Sequence, residues 1–307
     1  MKNMLEISDL SVSFPGPNGK IPAVRNLSLS LAPGECLAIV GESGCGKSVV
    51  AQAVLRLLPP GTEVLGRISY QGQDLLHLSE NEMDHIRGQE IGMVFQSPER
   101  ALNPVMKIGK QLISPQVMHG LCSEKDAELR AKGVLQSLGL DADRVMSSYP
   151  WMCSGGMCQR IVFAAVSLLH PNLVIADEPT KGLDAANVTD LEAMLSTVTA
   201  GKSTGLLLIT HDMDVASRLS NRIAVMYCGM IVEEGETKSV LSSPKHPYTR
   251  GLLGSLPKNG FVPIPGISPA LSDLPNGCVF HPRCVFADET CRTEIPDLID
   301  GVRCRRC

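Results

Sequence analysis

Residues 36–58, CLAIVGESGCGKSVVAQAVLRLL, limit what this chain can fold into more than any other stretch. A short apolar run, a glycine-rich turn and an amphipathic helix follow one another there without a break. The run at residues 36–40 is short and carries no polar side chain, which reads as a buried strand. Gly41, Gly44 and Gly46 let the backbone take left-handed or crowded conformations and turn its N–H groups onto a polyphosphate at the positive end of the next helix. Lys47 adds a full positive charge at the outer phosphates. Ser48 offers a hydroxyl to the Mg²⁺ they carry, and Cys45 and Val49 complete the loop, so the motif is G-x-x-x-x-G-K-S with its required strand and helix. Val49, Val50, Ala53, Val54, Leu57 and Leu58 fall on one 3.6-period face, and Pro59-Pro60-Gly61 stops the helix. Cys45 precedes the helix N-terminus, where the dipole favours a thiolate. It is therefore a candidate reactive thiol, with a small filler in place of serine as the competing reading.

At 307 residues the chain has room for one large domain with additions or two modest domains. Lys2, Asn3, Glu6 and Asp9 interrupt any apolar run that could serve as a signal segment. The most apolar region, 161–176, contains His170, Pro171 and Asn172 and is shorter than the roughly 20 residues that span a bilayer. The expectation is a soluble, cytoplasmic chain. A net charge of −4 gives no support to nucleic-acid binding. Eleven cysteines without a signal segment argue for metal or core use rather than disulfides.

Along the chain, residues 4–14 alternate at Leu5/Ile7 and again at Leu10/Val12/Phe14, and a break is expected at residues 15–19. Phe14 could stack on a base or serve as core. Residues 27–31 repeat with period two, and Pro33-Gly34 turns the chain into the buried run. Residues 91–96 form an apolar strand ending in Gln96. A helical insert at about 97–155 follows, with Ser123 as an N-cap, Asp126 at the third position, and Ala127, Val134, Leu135 and Leu138 on one face. Two further runs, 173–176 and 206–209, read as central parallel strands. The first delivers Asp177 and Glu178 at its carboxyl end, the second Thr210, His211 and Asp212, where open α/β sheets place their ligands. A hairpin is expected around Cys228-Gly229, a domain end near Ser255, and a proline-rich linker into a tail carrying cysteines.

These residues suit phosphoryl transfer to water, which needs a clamped polyphosphate, a held metal and an aligned nucleophile. Asp177 would hold Mg²⁺ and Glu178 would polarise the attacking water; an N-cap role for this pair is the bland alternative. His211 would contact the terminal phosphate.

The segment CSGGMCQR at residues 153–160 resembles the signature of ATP-binding cassette ATPases, and the order of phosphate loop, Gln96, signature, Asp177-Glu178, Leu183-Asp184 and His211 is that family's order. The resemblance implies an α/β phosphate-loop, RecA-like ATPase domain at 1–255, with an antiparallel β subdomain and the inserted helical subdomain, and a small Cys-rich extension at 256–307. It further implies a head-to-tail dimer in which Ser154, Gly155 and Gly156 act on the ATP of the other subunit. In it Gln96 reaches Mg²⁺ and the lytic water, and Asp184 links the two sites. HPYTRGLL at 246–253 and PNGCVFHPRC at 275–284 resemble the oligopeptide, dipeptide and nickel importers. That branch implies a second ATPase subunit, identical or homologous, two permease subunits, an extracytoplasmic binding protein and a peripheral position on the cytoplasmic membrane face. Cys153 stands where leucine is usual and Met157 where glutamine is usual, and nickel-importing members resemble this chain at Met157. A cassette ATPase acting on nucleic acid or ribosomes shares the catalytic motifs, but no coiled-coil insertion, second cassette or basic stripe supports it.

Cys278, Cys284, Cys291 and Cys304 are separated by five, six and twelve residues, wider than the usual pairing of zinc ligands. That spacing places an iron–sulfur cluster ahead of zinc. The family resemblance implies a [4Fe–4S] cluster in such a tail, with Cys304 as the fourth ligand and Cys307 competing for the position.

Overall fold

The computed structural model describes residues 3–17, 19–181, 185–199 and 203–306. The chain divides into two units, residues 1–77 with 207–307, and residues 78–206.

The first unit opens with β1 (Leu5–Gly16) and β2 (Gly19–Leu31), paired antiparallel with Leu5 opposite Leu31 and Gly16 opposite Gly19. The register shifts between Ile7 and Leu10, where Asp9 sits at φ 50°. This bulge is why the apolar alternation restarts at Leu10: one extra residue returns Leu10 and Val12 to the buried face already holding Leu5 and Ile7. The break expected at residues 15–19 is instead a hairpin, with Pro15 opposite Lys20 inside the ladder. On its other side β1 pairs with residues 63–70 only as far as Ser13, so the missing N–H of Pro15 costs no bond there. β3 (Cys36–Val40) is buried at all five positions and feeds α1 (Lys47–Val54). β4 (Glu63–Tyr70) and the short β5 (Gln73–Asp74) complete an antiparallel sheet of order β2-β1-β4-β5.

The second unit starts with α2 (Glu80–Ile86), closed by a Ser79/Glu82 capping box, and β6 (Ile91–Val94). The helical insert follows as α3 (Pro98–Ala101), α4 (Ile108–Met118), α5 (Glu124–Ser137) and α6 (Ala142–Ser147), leading into α7 (Gly155–Ser167). Ser123 caps α5 by accepting the Asp126 amide at 3.2 Å. Leu112, Leu135, Val145 and Ile161 pack into one apolar cluster, with Val134 and Leu138 at its margin. β7 (Leu173–Asp177) runs parallel to β6, Ile91 opposite Leu173 and Val94 opposite Ala176, and α8 (Ala185–Thr199) follows.

The chain returns to the first unit through β8 (Gly205–Thr210), followed by α9 (Met213–Leu219), β9 (Arg222–Tyr227) and β10 (Met230–Glu236). These strands lie in the order β10-β9-β3-β8, with β9 parallel to β3. Cys228 and Gly229, at φ 44° and 83°, make the two-residue turn between β9 and β10, a geometry whose twist matches antiparallel strands. After α10 (Thr237–Ser242) and α11 (Pro247–Gly254), the tail with α12 (Glu289–Thr293) packs back onto this unit. Glu234 N–H donates to Gly301 at 2.7 Å and Arg303 N–H to Val232 at 2.9 Å, so the tail pairs along β10 and covers part of that edge. Phe280 inserts between Tyr227, Tyr248 and His246, with ring centroids at 5.3, 5.5 and 5.8 Å. Phe280 therefore anchors the tail in an aromatic cluster supplied by β9 and α11, which composition did not suggest.

His246 caps α11: its Nδ1 accepts the Tyr248 amide at 3.1 Å, which places the ring proton on Nε2. The ring is 2% exposed, and burial pushes its pKa down from 6.5 to about 4. Between those values the unfolded chain binds a proton that the folded chain refuses, so stability is intact above about pH 6.5 and falls as pH drops toward 4. Urea unfolding across this window should show a smaller acid loss for His246→Asn than for the parent chain. Equal losses would remove His246 from this role.

Candidate nucleotide-binding site

The loop between β3 and α1 is wedged where side chains do not fit. A Cβ on Gly41 would lie 2.1 Å from the Met226 carbonyl oxygen, and one on Gly46, at φ 106°, would lie 2.2 Å from that of Ala23. Gly46 is also the left-handed N-cap of α1, so Lys47, Ser48 and Val49 begin the helix with their backbone N–H groups at its positive end. The Lys47 ammonium, 4% exposed, donates to the Gly41 and Glu42 carbonyls at 2.9 Å each. It is thus held over the mouth of its own loop, where a polyphosphate would replace weak acceptors with charged ones. Ser48 is half-buried in the first turn, and Gly44 lies exposed at φ 80°.

Cys45 does not have the environment of a reactive thiol. It is 5% exposed, and burial raises its pKa to about 11 against the opposing pull of Lys47. Desolvation outweighs both the charge and the amide of Lys47 here. Its 3.9 Å contact with Lys47 Nζ and the 2.9 Å bond from Gly229 N–H to its carbonyl make it a filler that ties the loop to the β9–β10 turn.

Two other expected residues lie in the same unit. Phe14 is half-buried opposite Ile21 on the antiparallel sheet, and His211 is exposed directly after β8, the strand beside β3. The next residue, Asp212, caps α9 by accepting from Asp214 and Val215.

The second unit carries the acidic pair. Asp177 ends β7 and is buried; Glu178, also buried, follows at φ 48°, a left-handed conformation that costs of order 1 kcal/mol for a non-glycine residue. No motif marks Gln159, a buried residue of α7 that donates to the Pro179 carbonyl at 2.5 Å and fixes the turn after Glu178 to the signature helix. Ser154 caps that helix by accepting the Met157 amide at 3.3 Å, and Ser154 and Gly155 are exposed at its N-terminus. Cys153 and Met157, the two departures from the signature pattern, are partly buried against the apolar cluster of this unit. They alter packing and leave Ser154-Gly155-Gly156 in the solvent-facing position. Gln96 is half-buried, two residues past the end of β6.

Asp184 and Cys307 lie outside the described residues. In the tail, Cys278 N–H donates to the Cys291 carbonyl at 2.8 Å, and the charges of Cys284, Cys291 and Cys304 all act on the Cys278 thiol, whose pKa is raised first by burial. Among the described residues, no group of three or more His, Cys, Asp or Glu side chains is positioned to hold a metal ion.

Residues 24–181 match the ABC transporter family, and residues 232–291 match the oligopeptide/dipeptide transporter C-terminal region. The chain is 41% identical to the oligopeptide transport ATP-binding protein OppD of Bacillus subtilis (strain 168), over 92% of this chain and 82% of that protein. It is also 41% identical to the probable D,D-dipeptide transport ATP-binding protein DdpD of Escherichia coli (strain K12), over 94% and 90%. The dimeric structure of MJ0796, a bacterial ABC transporter cassette, superposes with a TM-score of 0.69 at 26% identity, covering 76% of this chain and 99% of that one. The chain belongs to the ABC transporter ATPases. ATP is accordingly its nucleotide, and ATP hydrolysis is its reaction.

Lys47→Ala should weaken Mg–ATP binding at least tenfold, because the only loop side chain with a full positive charge is lost. Calorimetry on the purified chain checks this, and unchanged affinity would contradict the loop assignment.

Proposed function

We propose that this chain is the energy-coupling ATPase of an importer for short peptides, working at the cytoplasmic membrane face. A second ATPase subunit, two permease subunits and an extracytoplasmic binding protein complete the assembly. The observation that carries this reading is the pairing of an ATP site with a C-terminal region matched to oligopeptide and dipeptide transporters. No helix among the described residues is long and apolar enough to cross a membrane, so transport needs partner subunits that do. Peptides stand ahead of nickel because the C-terminal match and the relatives at 41% identity are oligopeptide and dipeptide transport proteins.

In this reading residues 1–255 are the ATPase and 256–307 its extension. The loop amides at Gly41, Gly44, Cys45, Gly46, Lys47, Ser48 and Val49 grip the phosphates, with Phe14 beside the base. Ser48, Gln96 and Asp177 are hard oxygen donors of the kind Mg²⁺ takes, and the ion would offset phosphate charge. Glu178 accepts the proton of the attacking water, His211 donates to the terminal phosphate, and Ser154, Gly155 and Gly156 serve the ATP of the other subunit, with Asp184 at the join. The exposure of Ser154 and Gly155 at the signature helix N-terminus suits that role.

The tail thiolates of Cys278, Cys284, Cys291 and Cys304 are proposed to hold a [4Fe–4S] cluster, with Cys307 competing for the last place. The Cys278 and Cys284 thiols, raised first by burial, are raised further by Cys291 and Cys304, and Arg306 pairs with Asp288 at 2.9 Å beside the Cys291 helix. A single zinc ion suits them less, because it needs thiolates gathered at about 2.3 Å from one centre. Anaerobically purified protein should contain iron and acid-labile sulfide, both lost in Cys284→Ser; zinc without iron would contradict the cluster.

Glu178→Gln should keep ATP affinity while lowering hydrolysis at least tenfold in the assembled transporter, since an amide cannot take the proton. Near-parental turnover would remove Glu178 from this role.

A further inference from the structure

Glu42, the second residue of the phosphate loop, is gripped from outside the loop. Both of its carboxylate oxygens accept from Arg283 Nη1, at 3.1 and 2.9 Å, and its N–H donates to the Tyr248 hydroxyl at 3.0 Å. Its carbonyl takes one of the bonds from Lys47 Nζ. Arg283 comes from the turn before Cys284, 241 residues away along the chain, yet its side chain is 6% exposed. The guanidinium is fixed on other sides as well: Nε donates to the Pro265 carbonyl at 3.0 Å, Nη1 reaches the Tyr227 hydroxyl at 3.3 Å, and the group lies 5.8 Å from the centre of the Tyr227 ring. Tyr227, Tyr248 and Phe280 wall this cage, with Tyr227 and Tyr248 centroids 4.5 Å apart.

The arrangement meets an electrostatic problem. A carboxylate inside a loop built to receive a polyphosphate repels its ligand, and it also competes for the lysine that should meet the phosphates. A buried guanidinium holding that carboxylate cancels the charge and turns it away, while the Tyr248 bond sets the direction in which the loop leaves β3.

We propose that Arg283 is a positioning residue for the nucleotide: it neutralises and orients Glu42, so the C-terminal region is a working part of the ATP site. The proposal rests on the ATP reading of the loop. Arg283 itself touches no phosphate in this scheme; it acts by keeping the loop in the conformation that binds, and affinity falls in proportion when that conformation is less populated.

The test measures Mg–ATP affinity of the full chain by calorimetry, with Lys47→Ala as the control for the site itself. Arg283→Gln keeps much of the side-chain bulk and loses the charge; it should weaken binding about tenfold. Adding Glu42→Gln to the same chain should recover at least half of that loss on a logarithmic scale, because the offending charge is gone. A purely structural role for Arg283 would instead show as a loss of stability on urea unfolding that tracks the loss of affinity across these variants. Arg283→Lys, which preserves the charge but not the guanidinium fork, should lose less affinity than Arg283→Gln, and Glu42→Gln alone, which should bind Mg–ATP at least as tightly as the parent, carries the test if Arg283→Gln is recovered unfolded. Unchanged affinity in a folded Arg283→Gln, a double variant no better than Arg283→Gln alone, an Arg283→Lys that binds no better than Arg283→Gln, or a Glu42→Gln chain that binds tenfold more weakly than the parent would each overturn the proposal. A parent chain whose affinity is indifferent to Lys47→Ala would instead condemn the ATP-site reading beneath it.

Discussion

At Gly41 and Gly46 the phosphate loop runs so close to the carbonyl oxygens of Met226 and Ala23 that no side-chain carbon can be accommodated. The loop's shape is therefore set by β9 on one side and β2 on the other. Both strands belong to sheets that must form first in space, if not in time, for the amides of residues 41–49 to converge. A loop held this way binds by preorganisation: the entropy of ordering the backbone is spent on folding, and the nucleotide meets a site already aimed at it.

The local parts of this design are legible in the sequence because they rest on short-range rules. Strand period, glycine placement and the lysine–serine pair point to the loop; Ser123 and the apolar run before Asp177 mark element ends that the structure repeats. The parts that escaped depend on register or on distance along the chain. Pro15 reads as a break, yet it is tolerated where β1 has lost its β4 neighbour. The dipole argument for Cys45 omitted desolvation, which burial supplies and which wins. Gln159 and Arg283 carry no motif signal of their own, since their partners, Pro179 and Glu42, become neighbours only through the fold.

The tail illustrates how a segment poor in regular structure can still be fixed. Its proline-rich lead suggests a linker, but the backbone bonds to β10, the Phe280 ring and the Arg283 guanidinium give it three kinds of anchorage. Glu233, buried beneath, accepts the Lys245 and His246 amides and so joins β10 to the start of α11. The HPY segment thereby acquires a physical meaning: the histidine caps a helix, and the tyrosine two residues later reaches the phosphate loop. Nucleotide site and tail are one hydrogen-bonded body within this unit, and a change in either should be felt in the other.

Amide hydrogen exchange of the full chain, with and without saturating Mg–ATP, tests this continuity most directly. The account predicts slower exchange with nucleotide both in residues 41–49 and in the tail turn at residues 278–284. Slowing confined to residues 41–49, with the tail turn exchanging at its nucleotide-free rate, would contradict it.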